Sequence, residues 1–212
     1  MRIVVDASDT MARLGQVAIW SFELEAWGEC AQAATEEEAR SRFARRARIA
    51  PEVLEVQERI TGATAVFAND LLPGKDAQIS RTVQIIDAQR ILTLALLNAA
   101  TDEELDMHDP AVKQPAWMAW RTPGEILRHI ADTEARAYPR WCGLAQLEPI
   151  DDLREELARS SRHIREIVHT MPRTFRNEHR GEMWTPVKLL RRLAWHERIE
   201  LVFLRRRLQQ LR

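Results

Sequence analysis

The spacing of apolar residues changes once along this chain of 212 residues, and that change limits the folds that the chain can adopt. In the first sixty residues apolar and polar side chains alternate, as in QVAIWSFELEAW at residues 16–27. From about residue 76 onward, apolar residues recur every three or four positions, as Ile79, Val83 and Ile86 do. Alternation is typical of a half-buried strand, whereas the longer period is typical of an amphipathic helix. The sequence therefore predicts a small α+β part followed by an all-α part.

The N-terminal part is predicted to have the element order β-β-α-β. Its strands are predicted at residues 2–7, 16–27 and 52–60. Thr35 precedes three glutamates, of which Glu38 follows it by three residues, and this is the pattern of a capping box at the start of a helix. A helix is therefore predicted from that point to about residue 49, ahead of Pro51.

Four amphipathic helices are predicted in the C-terminal part, at residues 76–100, at 122–138, from 151 or 152 to 171, and from 185 almost to residue 212. Thr122-Pro123 and Thr185-Pro186 each place a capping residue before a proline, which suits the first position of a helix. Four such helices are typical of a four-helix bundle.

The predicted domains are a small α+β domain at residues 1–62, a linker at 63–75 and an all-α four-helix bundle at 76–212. Residues 101–121 are predicted to be a long connection interrupted by prolines. Its two tryptophans, Trp117 and Trp120, are expected to pack part of it.

Composition narrows the classes of function. The formal net charge is -1, which offers no electrostatic reason to expect nucleic acid or an anionic membrane as a partner. No apolar run approaches the roughly 20 residues needed to cross a bilayer, and the N-terminus lacks the apolar core of a signal peptide. We therefore expect a cytoplasmic protein. Its two cysteines, Cys30 and Cys142, are far apart in sequence and are expected to be reduced thiols.

The stretch WHERIE in the last helix contains the residues that can carry chemistry. His196 and Glu197 begin it like a metalloprotease helix, but Glu200 stands where such a helix has its second histidine. On a helical wheel Glu197 projects near the centre of the leucine stripe, and His196 and Glu200 flank that stripe. A buried carboxylate is costly unless it is paired, so these groups are predicted to have partners.

The second predicted helix offers one partner, because His129 flanks an apolar stripe that includes Ile126 and Ile130. His129, His196 and Glu200 would form a set of two histidines and one carboxylate, which can hold a divalent cation and leave positions open for water or substrate. The alternative is that the histidines are packed residues and that Glu197 and Glu200 pair with arginines. Arg136, Arg192 and Arg207 are candidates for such pairs.

Two stretches of the chain resemble the DinB-like (DinB/YfiT) superfamily of four-helix bundles. They are EILRHIADTEARAYPRW and WTPVKLLRRLAWHERIELVFLRRRL, and the resemblance extends over about residues 76–212. It implies that His129 and His196 match two of the family's three metal-binding histidines and that Glu200 stands in place of the third. It also implies a divalent metal, frequent homodimers, and thiol-dependent transfer or hydrolysis with a small-molecule or thiol substrate. Despite its name, the family is not one of DNA-binding proteins.

The departure at position 200 bears on which metal the site would hold. Glutamate is a harder ligand than imidazole, so it favours zinc, manganese or iron over softer ions. Zinc, nickel and manganese are the metals expected from the ligand set and the resemblance together.

The N-terminal stretch IWSFELEAW, followed by GECAQAATEEEA, is similar to HicB-type domains. This similarity implies a fold for residues 1–62 and no antitoxin function.

Two hypotheses follow for function. In the first, the protein is a metal-dependent hydrolase or thiol transferase in which His129, His196 and Glu200 hold the metal and Glu197, or a nearby carboxylate, acts as a base. In the second, it is a non-catalytic binding or regulatory protein whose polar cluster is a degenerate metal site.

Overall fold

The structure, a computed structural model, describes residues 1–63, 66–108 and 122–211 of the chain. A mixed four-stranded sheet with a helix forms the N-terminal part, and a largely helical region follows it. The chain is therefore an α+β protein, as its change of hydrophobic period predicted.

The described residues form two compact units. One contains Met1–Thr82 and Met171–Trp195, and the other contains the described parts of Val83–Thr170 and His196–Arg212. The predicted domains at 1–62 and 76–212, with a linker at 63–75, stay predictions.

The sheet of the first unit has the strand order β3-β2-β1-β4. Strand β1 pairs antiparallel with β2 and parallel with β4, and β2 pairs antiparallel with β3. The strands are β1 (Arg2–Ser8), β2 (Val17–Trp20), β3 (Cys30–Ala33) and β4 (Glu55–Gly62), and the helices are α1 (Asp9–Arg13) and α2 (Glu36–Ala47).

The two faces of β1 bury different residues, as its alternating sequence requires. Ile3 and Val5 pack with Phe43 of α2 in one core, whereas Val4 joins Trp20 in a second core on the other face. Helix α2 begins as predicted, because the Thr35 hydroxyl accepts a hydrogen bond from the Glu38 N–H.

The predicted strand at residues 16–27 is wrong beyond Trp20. The Ser21 hydroxyl donates to the carbonyl of Arg2 at 2.9 Å and accepts from the Glu23 N–H at 3.1 Å, so the chain turns away from the sheet. A 3₁₀ helix, Leu24–Ala26, follows.

Strand β3 and helix α1 were not predicted. Both are short, with four and five residues, and so neither is long enough to give a clear period in the sequence. The predicted strand at 52–60 instead begins at Glu55, because residues Pro51–Val53 form a 3₁₀ helix.

A buried ion pair ties two distant parts of the first unit together. Asp70 is 0% and Arg191 is 3% exposed, and both carboxylate oxygens of Asp70 accept from the Arg191 guanidinium at 2.7 Å. The guanidinium also lies 4.6 Å from the centre of the Trp20 ring. A bidentate, aromatic-stacked arginine of this kind is suited to burial.

The helical region begins and ends its elements close to the predicted positions. Its elements are α3 (Asp76–Ala99), α4 (Asp102–Asp106), α5 (Pro123–Asp132), a π-helical turn (Thr133–Ala137), α6 (Tyr138–Trp141), α7 (Leu153–Thr170), the hairpin strands β5 (Asn177–His179) and β6 (Glu182–Trp184), and α8 (Pro186–Gln210). Helix α4 lies in the predicted connection at 101–121. The rest of that prediction, on Pro110, Pro115, Trp117 and Trp120, lies outside the described residues.

The second predicted helix continues past its expected end. It was predicted to stop before Pro139, yet helical structure runs on to Trp141 by way of the π-helical turn. Pro139 has no N–H to donate to the carbonyl of Ala135, and the N–H of Leu147 donates to that carbonyl at 3.1 Å instead. The backbone acceptor exposed by the proline is therefore satisfied by a later segment.

The core of the second unit takes residues from four helical segments. Its buried members are Leu97 of α3, Ile126, Leu127, Ile130 and Ala131 of α5, Leu157 of α7, and Leu201, Leu204 and Leu208 of α8. Helix α5 begins with a complete capping box. The Glu125 N–H donates to the Thr122 hydroxyl at 3.1 Å, and the Thr122 N–H donates to the Glu125 carboxylate at 3.0 Å. The helices over residues 1–63, 66–108 and 122–211 include none that is long and apolar enough to cross a membrane.

Candidate metal centre

Three side chains of the second unit bring potential metal ligands together. The Nε2 atoms of His129 and His196 lie 3.0 Å apart, and each lies 3.9 Å from Oε1 of Glu200. Within the described parts of the chain, these residues form the one group of three or more His, Cys, Asp or Glu side chains that is close enough to share a metal ion.

The size of this triangle suits a first-row divalent cation. A circle through three atoms with these separations has a radius of about 2.1 Å, within the range of zinc–ligand distances to imidazole and carboxylate. A single ion of that size could contact all three donor atoms with little movement of the helices.

The helices explain why these residues meet. His196 and Glu200 are four residues apart on α8 and so lie on one face, one turn from each other. His129 lies in the last turn of α5, whose apolar residues Ile126 and Ile130 are fully buried in the core. Burial of that face directs the edge that carries His129 toward α8.

The contact between the two imidazoles requires something between their nitrogens. Two unprotonated nitrogens 3.0 Å apart would direct lone pairs at each other, and two protonated ones would direct hydrogens at each other. Either one shared proton or one shared cation relieves this repulsion. The geometry is thus compatible with a hydrogen bond from one ring to the other and with a metal ion bound by both.

Burial prepares His129 for metal binding. It lowers the pKa of His129 to about 4, and the nearby carboxylate of Asp132 only partly offsets this effect. His129 is therefore neutral at physiological pH, which is the form that donates a nitrogen lone pair to a metal.

Solvent reaches the three residues past His129. Its side chain is 26% exposed, compared with 7% for His196 and 4% for Glu200. His129 also lines an open groove of about 740 Å³, whose other walls include Arg128, Asp132, Arg136 and Glu156. A small molecule could approach the site along this groove.

The ring of Tyr138 packs against the ring of His196. The two rings meet edge to face with centres 5.7 Å apart, and Tyr138 is 2% exposed. Tyr138 directly follows the π-helical turn. The widened turn therefore sets where this aromatic ring lies along the helix.

A buried charge network lies beside the three residues. Arg90 of α3 donates from Nη2 to Oε2 of Glu134 at 2.6 Å and from Nε to Oε1 of Glu197 at 3.0 Å. Thr93 donates to the same Glu197 oxygen at 2.5 Å. Ser160 lies 3.3 Å from Nη1 of Arg90 and donates to Glu134 at 3.2 Å. The network thus joins residues of α3, the π-helical turn, α7 and α8.

The charges of this network affect one another. Burial lowers the pKa of Arg90, but the carboxylates of Glu134 and Glu197 outweigh it, and the pKa rises above its usual range. Burial raises the pKa of Glu197 to about 7, against the lowering effect of Arg90. A carboxyl group that titrates near neutrality has the proton affinity expected of a base, but hydrogen bonds from Arg90 and Thr93 engage Glu197.

The structure brings the predicted ligands together and gives Glu197 a different partner from those considered. Glu197 pairs with Arg90, whereas Arg136, Arg192 and Arg207 were the arginines expected from sequence. Its predicted role as a base is not tested and stays a prediction. Cys30 and Cys142 are both buried, are not joined in a disulfide, and lie outside the ligand group.

Sequence reasoning missed Arg90, Glu134 and Tyr138. The apolar period of α3 includes position 90, between Ile86 and Leu97, and a charged residue at a predicted core position could have identified Arg90. Glu134 gave a similar signal, because it follows Ile130 by four residues and precedes Ala137 by three, and so lies on the apolar stripe of the second predicted helix.

Comparisons of the chain with protein-family models, curated proteins and solved structures found no match in any of the three. The resemblance to DinB-like bundles therefore rests on the quoted motifs, and it stays a prediction.

Proposed function

We propose that His129, His196 and Glu200 bind a divalent metal ion. The observation that carries this proposal is the 3.0 to 3.9 Å separation of their three donor atoms, two of which are imidazole nitrogens in direct contact. Such a contact needs a proton or a cation between the rings. The burial of Glu200 adds support, because a cation in direct contact with a buried carboxylate strongly stabilises its charge.

The donor set fits zinc, nickel or manganese. Imidazole suits zinc and nickel, and the carboxylate extends the range to manganese. A bound divalent ion would lower the pKa of a coordinated water or thiol and polarise a substrate oxygen. Three protein ligands are the number found in catalytic zinc sites, where a further position is left for water or substrate.

We infer that the protein is a metal-dependent enzyme of DinB-like type, a hydrolase or a thiol transferase, built on a four-helix bundle. The motif resemblance supports this class, and the groove beside His129 supports a small-molecule or thiol substrate. In this hypothesis Glu197 serves as a base and the molecule forms a homodimer, as the resemblance implies.

Metal content and stability test the site. Protein purified without a histidine tag should contain close to one divalent ion per chain by elemental analysis, and EDTA should lower its melting temperature, because an ion that binds the folded state stabilises it. His196→Ala should abolish both effects. His169→Ala, which alters an exposed histidine of α7, is the matched control and should change neither. Absence of copurifying metal, with a melting curve that zinc, nickel and manganese leave unmoved, would refute the proposal.

The alternative is a non-catalytic binding or regulatory protein with a degenerate metal site. The engagement of Glu197 by Arg90 and Thr93 favours it, because these hydrogen bonds must be broken or shared before the carboxylate can take a proton from substrate. Under this alternative His196→Ala changes stability only, with the same effect in EDTA and in zinc.

A further inference from the structure

The proposed ligands come from two helical segments that are far apart in sequence. His129 belongs to α5, whereas His196 and Glu200 belong to α8. A metal site tolerates only about 0.5 Å of displacement in its ligands, so the distance between these two helices must be fixed by other contacts.

Arg90 of α3 contacts the same two parts of the chain. Glu134 follows His129 by five residues, just past the start of the π-helical turn, and Glu197 directly follows His196. The Arg90 guanidinium bonds to both carboxylates, at 2.6 Å and 3.0 Å. We propose that Arg90 is a positioning residue of the metal centre, which sets the spacing of His129 from His196 and Glu200. This inference rests on the proposed function.

The burial of this network supports a geometric role. Arg90 is 4% exposed, and Glu134 and Glu197 are each 2% exposed. Buried ion pairs of this kind are often no more stabilising than apolar side chains of similar size. Stability alone is therefore a weak reason to place three charges here, whereas directed hydrogen bonds between helices are a means of fixing distances.

All three nitrogens of the guanidinium take part. Nε bonds to Glu197, Nη2 to Glu134, and Nη1 to the carbonyl of Leu157 and the hydroxyl of Ser160. A lysine ammonium keeps the positive charge but is a single point on a flexible chain, so it cannot reproduce this fork. Arg90→Lys therefore removes the fixed geometry and keeps the charge balance.

A cobalt titration separates a positioning role from a purely structural one. Visible absorption of bound Co²⁺ reports both affinity and coordination. We expect Arg90→Lys to weaken Co²⁺ binding by about 10- to 100-fold, as is usual when residues that support metal ligands are changed, and to alter the absorption spectrum.

Arg191→Lys is the matched control. It makes the same substitution in the buried Asp70–Arg191 pair of the other compact unit. It should lower the melting temperature comparably and leave the Co²⁺ affinity and spectrum as in the wild type.

The outcomes distinguish the positioning role from the proposed function. If Arg90→Lys binds Co²⁺ with the affinity and spectrum of the wild type, the positioning role alone is overturned. The same holds if Arg191→Lys loses as much Co²⁺ affinity as Arg90→Lys does. Absence of Co²⁺ binding by the wild type overturns the proposed function, and the positioning role with it.

If Arg90→Lys does not fold, a second variant, Glu134→Gln, tests the positioning role of Arg90. Glu134→Gln keeps the shape of the side chain and one acceptor oxygen, but it removes one charge from the bridge. We expect a several-fold weaker Co²⁺ affinity with a shifted spectrum. Wild-type affinity and spectrum in a folded Glu134→Gln protein would overturn the inference.

Discussion

Residue 200 determines the character of the proposed site, because it supplies the only anionic donor among the three residues. Its Oε1 atom is equidistant, at 3.9 Å, from the two imidazole nitrogens. A carboxylate favours harder ions and an imidazole favours later transition metals. Any donor side chain at this position should therefore complete the ligand set, and the kind of donor should set the metal preference.

Replacing Glu200 by histidine tests whether the residue at position 200 sets the metal preference. Glu200→His should still bind a divalent ion, with the ratio of nickel to manganese affinity raised by about tenfold or more, because imidazole is a better ligand for nickel than for manganese. Competition titrations with the two metals measure that ratio.

Glu200→Leu is the control for this change, since it has no donor atom at all. It should lose most of the affinity for both metals. The same nickel-to-manganese ratio in the wild type and in Glu200→His would contradict an anionic ligand at this position.

At the scale of single elements, the helix that carries His129 depends on its start. Thr122 caps α5 in a complete capping box with Glu125, and the apolar face of the helix then enters the core. The helix start could be predicted from the sequence because the cap involves residues only three positions apart. The π-helical turn could not, since Pro139 predicts the end of the helix, and the N–H that bonds to the carbonyl of Ala135 comes from Leu147, far beyond the usual helical donor.

Removal of this cap should destabilise the unit that holds the site. Thr122→Ala is expected to lower the free energy of unfolding by about 1 kcal/mol, the usual loss for a threonine cap. Urea denaturation followed by circular dichroism measures the change.

Thr170→Ala serves as the control, because Thr170 is an exposed threonine at the C-terminal end of a different helix, α7. The Thr170 hydroxyl donates to the carbonyl of Glu166, inside the same helix, and caps no free N–H group at a helix start. Its removal should change the free energy of unfolding by no more than about 0.5 kcal/mol. Equal losses in the two variants would argue against a special role for the Thr122 cap.

At the scale of the whole molecule, the sequence predicted which helices form better than it predicted how the segments group into compact units. Periodicity is a local property, and it located the helices over Asp76–Ala99, Leu153–Thr170 and Pro186–Gln210. It could not reveal that Met171–Trp195 packs in one compact unit with the N-terminal sheet. That grouping depends on long-range contacts such as the Asp70–Arg191 pair, which leave no repeat in the sequence.

The candidate site was predictable to a similar degree. His196 and Glu200 share one helix face, so their proximity followed from helical geometry. The approach of His129 required helix packing, which its place beside the apolar stripe of the second predicted helix indicated and the motif resemblance then supported. The buried network around Arg90 depends on side chains from four elements, and no spacing rule connects them.

The proposal that one divalent ion joins His129, His196 and Glu200 can be tested by a crystal structure of the protein with zinc added. We expect an anomalous-scattering peak with Nε2 of both histidines and a Glu200 carboxylate oxygen each at about 2.0 to 2.2 Å. No ion between these residues at saturating zinc, with the two imidazoles still in direct contact, would contradict it.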